Sequence, residues 1–253
     1  MSKTILITGA SSGFGKAIAY RFAQNGHRLI LTGRRADNLE RLQKELISLY
    51  KNEIQICTFD VREKQQVFDA VESLPIAFRQ IDILINNAGL ALGRDLFQDA
   101  DLDDWETMMN TNVMGLLYVT KAVLPLLKTS KQAHIINIGS IAGKEVYERG
   151  NAYCASKAAV DSLSKAMRID LLSEGIKVTA IHPGAAETEF SKVRFKGDEQ
   201  KASSIYQGYK PLSAEDVAEI VFYTTTLPGH VCINDLSVTC LAQANSFYTH
   251  KNG

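Results

Sequence analysis

Four residues of this chain have side chains whose types and spacing could manage a proton: Asn112, Ser140, Tyr153 and Lys157. Tyr153 and Lys157 stand four apart in the stretch GNAYCASKAAV, 150–160. On a helix that spacing puts both side chains on one face, about one turn apart. An ammonium beside a phenol favours the phenolate and can control an acid/base proton. The same spacing also fits a packed tyrosine beside a solvated lysine, with Cys154 as a small buried neighbour. Asn112 lies inside a helical pattern, where its amide is out of place. Ser140 follows a short apolar run, after Gly139.

Positioning these groups takes an alternation of strands and helices. Residues 4–8 (TILIT), 28–32 (RLILT), 53–59, 82–86 (DILIN), 134–138 (HIINI) and 177–181 (KVTAI) read as short apolar strands, with 237–241 as a candidate last one. Helical spacing runs through 16–25, 37–50, part of 61–74, 105–128, 152–172 and 214–224. In the second of these, Leu39, Leu42, Leu46 and Leu49 share a face. Six or seven apolar strands separated by helices imply an α/β fold, a doubly wound parallel sheet of the Rossmann kind. No repeat, low-complexity tract or linker interrupts it, so residues 1–253 are expected to form a single domain. The one long irregular stretch, 184–213, is expected to act as a substrate lid. Ligands of such sheets sit beyond the carboxyl ends of the strands, so Ser140 should face the cleft.

Thr8-Gly9-Ala10-Ser11-Ser12-Gly13-Phe14-Gly15 joins the first strand to the first helix. Glycines permit a tight turn and a close approach of backbone to a pyrophosphate, and the helix N-terminus offers free N–H groups. A flexible turn would look the same in isolation; the place between strand and helix favours phosphate. Sheets that bind NAD usually carry an acidic residue at the end of the second strand. This chain has Arg34 and Arg35 there, suited to a 2′-phosphate through charge-assisted bonds, with Ser11 able to add a hydroxyl. NADP is therefore the expected cofactor, although an arginine pair opening a charged helix is commonly just solvated. Asp60-Val61 ends the third strand, where Asp60 could accept from an adenine amine or cap a helix. Asn87, Ala88 and Gly89 end the fourth, as a cofactor-facing segment or an Asx turn.

Composition narrows the classes. Of 253 residues, 45% are apolar and 22% charged, and 28 basic residues balance 28 acidic ones. That argues against nucleic acid and an anionic membrane as partners. No apolar run reaches the ~18 residues of a membrane span, and the first apolar run is too short for a signal peptide. The four cysteines form no zinc spacing, and no disulfide framework is expected, which points to a reducing cytoplasm. His27, His134, His182, His230 and His250 are scattered and read as surface or strand-end residues, so no metal site is expected.

TGASSGFG at 8–15, Asp60-Val61, NNAG at 86–89, Asn112, Ser140, YCASK at 153–157, and Pro183-Gly184 with Thr188 together resemble the short-chain dehydrogenase/reductase family over the full length. The resemblance implies that Tyr153 exchanges a proton with the substrate oxygen and that Ser140 hydrogen-bonds the developing oxyanion. Lys157 would lower the Tyr153 pKa, helped by an oxidised nicotinamide, and bind the ribose. Asn112 would hold a water that relays protons toward Lys157, and Thr188 would meet the nicotinamide amide. It also implies a homotetramer paired through residues 105–128 and 152–172. A non-catalytic NADP(H) sensor would be expected to lose Tyr153 or Lys157, and both are present.

Within that family, TEFSKVRFKGD (188–198), NNAGLALG (86–93) and DDWETMMNTN (103–112) resemble NADP-dependent 3-hydroxy acid dehydrogenases, also described as serine or allo-threonine dehydrogenases and malonic semialdehyde reductases. The implied substrate carries a carboxylate two bonds from the carbinol carbon. Arg194 is the expected bidentate clamp, with Lys196 second. The alternatives are a solvated charged loop and, for the enzyme, another carbonyl such as a 3-oxoacyl thioester or a xenobiotic ketone. The C-terminal CLAQANSFYTHKNG departs from the pattern; buried between subunits, it would reshape the pocket mouth.

Overall fold

The computed structural model describes residues 2–251. Seven strands lie in the order β3-β2-β1-β4-β5-β6-β7. They are β1 (Thr4–Ile7), β2 (Arg28–Gly33), β3 (Ile54–Thr58), β4 (Ile83–Asn86), β5 (His134–Ile138), β6 (Lys177–Pro183) and β7 (Asp235–Val238). Every neighbouring pair is parallel. The order reverses between β1 and β4, which opens a crevice at the carboxyl ends.

Alternation along the strands builds two apolar layers. Ile5, Ile7, Leu29, Leu31, Ile83 and Ile85 face α1 (Gly13–Gln24), α2 (Ala36–Tyr50) and α9 (Ala214–Thr225). Leu6, Ile30, Leu84, Ile135 and Val178 face α3 (Lys64–Glu72) and α5 (Gly115–Leu127) on the other side, where α6 (Asn151–Asp170) also packs. Burial of both faces explains why the strands read as unbroken apolar runs. In α2 the buried face is Leu39, Leu42 and Leu46, whereas Leu49, in the last turn of the helix, is exposed. Among the described residues, no helix is long and apolar enough to cross a membrane.

Three expectations change. The last strand is Asp235–Val238 rather than 237–241: its partner is the end of β6, in register Ala180↔Asp235 to Pro183↔Val238, and as an edge strand it needs no apolar run. The helical segment 105–128 begins earlier and is not one α-helix. It runs as α4 (Leu102–Met109), a π-turn at Asn110–Met114, and α5. The stretch 184–213 is not irregular throughout, because it contains α7 (Glu189–Arg194) and α8 (Glu199–Ser204).

Candidate active site

The glycine loop is shaped from behind by the residues that directly follow β1 and β4. Gly9 and Gly13 have φ of +65° and +50°, the left-handed region that favours glycine. A β-carbon on Gly15 would overlap the Gly9 carbonyl, so this glycine lets α1 close against the loop. Thr8 Oγ1 accepts from the N–H groups of Asn87 and Ala88, both at 2.9 Å, and Asn87 Nδ2 donates to the Thr8 carbonyl at 2.8 Å. Ser12 stands at the N-cap of α1 but its hydroxyl makes no capping bond. The first-turn N–H groups therefore face the cleft with the positive end of the helix dipole.

Gly9, Ser11, Ser12, Gly13, Phe14, Asn87, Ala88 and Gly89 line one cleft of about 800 Å³. Arg34, Arg35, Asp60 and Val61 line it too. Ala10 and Gly15 do not. Ala10 is fully buried with its N–H on the Thr32 carbonyl, and Gly15 packs behind the loop. Arg35 Nη2 donates to Ser11 Oγ at 3.2 Å and also pairs with Glu189 at 3.4 Å. Arg34 Nη1 lies 3.6 Å from Asp60 Oδ2. Asp60 does not cap α3, whose N-cap is Glu63. Its carboxylate instead takes Arg62 Nη2 at 2.7 Å and Nε at 3.0 Å. Two guanidinium groups and a hydroxyl at one cleft end suit a phosphate monoester.

The other end of the cleft is lined by Ser140, Tyr153, Lys157, Pro183, Gly184 and Arg194, while Thr188 lines the cleft beside Gly13 of the glycine loop. Tyr153 and Lys157 lie on α6 and are buried. Lys157 Nζ donates to the Ile138 carbonyl at 3.0 Å, and burial pulls its pKa down to about 8. Ser140 Oγ accepts from the Ala142 N–H at 3.1 Å and donates to the Pro183 carbonyl at 3.4 Å, and its side chain faces the Tyr153 phenol closely enough to favour the phenolate. The expected lowering of the Tyr153 pKa is not what the protein groups produce. Burial pushes the phenol well above the usual tyrosine value, Tyr147 adds to this, and the Ser140 hydroxyl and the Arg194 charge only partly oppose it. A phenol with so little solvent loses more from desolvation of its anion than these neighbours return.

Asn112 sits in the π-turn, is buried and stands behind the cleft wall. Its Oδ1 accepts from the Leu90 N–H at 2.8 Å, and its Nδ2 donates to the Leu90 carbonyl at 2.8 Å and to Ser156 Oγ at 3.0 Å. Both amide hydrogens are thus committed to protein, and the side chain pins the segment after β4. Gly89 runs between it and Lys157: a β-carbon there would lie 3.1 Å from Asn112 Oδ1 and 3.4 Å from Lys157 Nζ. Thr188 caps α7 by accepting from the Phe190 N–H at 3.2 Å.

Arg194, at the end of α7, reaches the chemical end. Its guanidinium carbon lies 5.5 Å from the Tyr153 ring centre, and its Nη1 donates to Tyr147 Oη at 3.0 Å. Lys196 instead pairs with Asp104 at 2.9 Å. Tyr147 and Arg94 also line this end, and Phe190 packs its ring 5.6 Å from that of Tyr153. Neither Tyr147 nor Arg94 has a periodicity or motif to mark it in the sequence, whereas Phe190 belongs to the TEFSKVRFKGD stretch. The C-terminal tail folds onto its own chain. Gln243, Ser246, Thr249 and Lys251 line the cleft, and Gln243 Oε1 accepts from the Ala185 N–H at 2.7 Å. Asn252 and Gly253 of that tail lie outside the described residues.

Two of the histidines stand at strand ends and are buried: His134 opens β5, and His182 is the last residue but one of β6. His182 is not isolated: its ring nitrogen and carboxylate oxygens of Asp161 and Asp235 lie within 4.8 Å of one another. Lys144 donates to both carboxylates.

A family profile of short chain dehydrogenases matches residues 3–199. Sulfoacetaldehyde reductase 2 of Chromohalobacter salexigens is 48% identical over 249 residues, 98% of this chain and 98% of that protein. An NADP-dependent 3-hydroxy acid dehydrogenase of Escherichia coli is 46% identical over 241 residues, 95% of this chain and 96% of the relative. The closed form of a serine dehydrogenase complexed with NADP+ superposes with a TM-score of 0.92 at 45% identity, over 99% of this chain and 100% of that one. The chain belongs to the short-chain dehydrogenase family.

Proposed function

We propose that this member of the short-chain dehydrogenase family is an NADP-dependent oxidoreductase that interconverts a small 3-hydroxy acid with its 3-oxo acid or semialdehyde. The observation that carries the reading is the place of Arg194, with its guanidinium 5.5 Å from the ring of Tyr153 and tied to Tyr147. A substrate oxygen at the Tyr153 hydroxyl then has an anion-binding group a few bonds away. A carboxylate two bonds from the reacting carbon fits that reach.

The cleft fits the cofactor. Arg34, Arg35 and Ser11 would hold the 2′-phosphate, and the Gly9–Gly13 turn with the start of α1 the pyrophosphate. Thr188 would meet the carboxamide and Lys157 the ribose. Bound there, the nicotinamide supplies or receives the hydride. Tyr153 gives its proton to the substrate oxygen in reduction and takes it back in oxidation. Ser140 donates a hydrogen bond to the same oxygen. Lys157, with its pKa near 8, favours the phenolate while charged. Asn112 acts through Leu90 and Ser156 by fixing the cleft wall. Met109, Met114 and Ile169 leave apolar surface exposed on α4–α6, which supports pairing into a homotetramer.

A second reading exchanges carboxylate for sulfonate. Sulfoacetaldehyde carries its anion two bonds from the carbonyl, the same reach, and Arg94 adds a second guanidinium to this end of the cleft. The test is an NADP(H)-coupled absorbance screen. It would cover 3-hydroxypropionate, serine, allo-threonine, malonic semialdehyde, sulfoacetaldehyde, a 3-oxoacyl thioester and a neutral ketone. The expected result is activity on the small carboxylates; activity on sulfoacetaldehyde alone selects the second reading. Activity confined to thioesters or neutral ketones overturns both.

A further inference from the structure

Beneath the strand end that carries Ser140 lies a cluster of charged groups that the hydride transfer does not use. His182, near the end of β6, is completely buried. Its Nδ1 stands 3.3 Å from the main-chain oxygen of Ser140. A β-carbon on Gly139 would come within 2.5 Å of that nitrogen, so the glycine preceding Ser140 is what admits the ring. On the other side, Nε2 lies 3.2 Å from Asp235 Oδ2 and 3.5 Å from Asp161 Oδ1. Lys144 Nζ donates to Asp161 at 2.7 Å and to Asp235 at 2.6 Å, and Lys165 to Asp161 at 2.8 Å. Lys144 follows the turn Ile141–Gly143 that Ser140 caps, Asp161 lies on α6 two turns beyond Tyr153, and Asp235 opens β7. The cluster joins the elements that carry Ser140 and Tyr153 to the edge strand β7.

Both ring nitrogens face oxygen acceptors, yet a neutral imidazole has one N–H. Burial foremost, and then the Lys144 ammonium, hold His182 below the ordinary imidazole pKa, so it is neutral near pH 7. The Nε2 side lacks hydrogen-bond geometry to either carboxylate. Those carboxylates already have donors from Lys144, so the single N–H is best used at Ser140. We propose that His182 is a positioning residue for the reaction. Its Nδ1–H donates to the Ser140 carbonyl and, together with the Gly143 N–H on the same oxygen at 2.9 Å, fixes the Ser140 peptide and so the place of its hydroxyl beside Tyr153 in the cleft. The Asp161–Lys144–Asp235 pairs hold the ring in that orientation. This inference rests on the reading of Ser140 as the group that binds the substrate oxygen.

Two substitutions separate the two faces of the ring. The amide nitrogen of asparagine can stand near the position of Nδ1, and that of glutamine near Nε2. His182→Asn should keep kcat within about twofold of wild type, whereas His182→Gln should lose roughly three- to tenfold, the scale of one hydrogen bond. KM for substrate and Kd for NADPH should be unchanged in both, and thermal melting reports whether each is folded. Equal kcat in the two variants, or a deficit confined to His182→Asn, overturns the proposal. Should either variant not fold, Asp235→Asn at the exposed rim loosens the ring's support and should lower kcat about two- to threefold; an unchanged kcat there overturns it as well. Ser140→Ala tells the two failures apart. If it keeps full turnover, the role of Ser140 itself is wrong; if it collapses while the His182 pair is indistinguishable, only the positioning role falls.

Discussion

At the phosphate end of the cleft, Arg34 and Arg35 keep 58% and 50% of their side-chain surface in solvent. At the chemical end, Tyr153 and Lys157 are buried, with whole-residue exposures of 8% and 6%. The first end is made of backbone geometry and wet charges, which water and salt screen. The second is made of side chains whose proton affinities burial has displaced. Recognition at an exposed end should be graded and salt-sensitive, and each residue replaceable at modest cost. Chemistry at a buried end should fail steeply when one group is removed.

The largest effect expected is that of Tyr153→Phe. It removes the proton donor and leaves the ring packing with Phe190, so kcat should fall by roughly 10²–10⁴ while the protein melts as before. Steady-state turnover and thermal melting read this, and near-wild-type turnover would erase the distinction between the two ends. Next is Lys157, whose drop from 10.5 to about 8 is roughly a 300-fold change in proton affinity. Its folded form sheds the proton before the unfolded one does. Its contribution to stability therefore rises with pH between about 8 and 10.5. NMR of the 13C-methylated protein should show one lysine titrating near 8, absent in Lys157→Met.

Arg194→Ala comes third. Loss of a charge-assisted contact should raise KM for a 3-hydroxy acid roughly ten- to a hundredfold and leave KM for a neutral ketone unchanged. At the exposed end, Arg34→Ala should weaken NADPH binding roughly three- to thirtyfold with no effect on NADH, and the gap should narrow as salt is added. The smallest effect is expected from Glu189→Gln. Glu189 competes for Arg35 at the first residue of α7, so its loss should tighten NADPH by up to about threefold in a fluorescence titration.

The two ends also differed in how much of them the sequence discloses. The glycine loop, Arg34, Arg35, Ser140, Tyr153 and Lys157 all belong to elements whose period or punctuation is local, and the structure places them on one cleft. Residues 134–138 were recognisable as a strand to the residue, because a strand buried on both faces is an uninterrupted apolar run. Asn112 looked out of place in a helix, but the π-turn and the Leu90 backbone that answer its amide are products of tertiary contact. Tyr147, Arg94 and Gln243 come to the cleft from a turn, a loop and the chain's tail, none of which has a period to read. The sign at Tyr153 was hidden for a related reason: a neighbour four residues away is visible in sequence, whereas the desolvation that outweighs it depends on everything packed around the ring.

A double-mutant cycle on Tyr153→Phe and Arg34→Ala tests the division of labour most directly, with NADPH Kd and kcat at saturating cofactor measured for all four proteins. The account predicts that Tyr153→Phe lowers kcat and leaves Kd, that Arg34→Ala raises Kd and leaves kcat, and that the double variant shows both effects undiminished. A Tyr153→Phe protein that binds NADPH as poorly as Arg34→Ala, or an Arg34→Ala protein that turns over slowly when saturated, would contradict it.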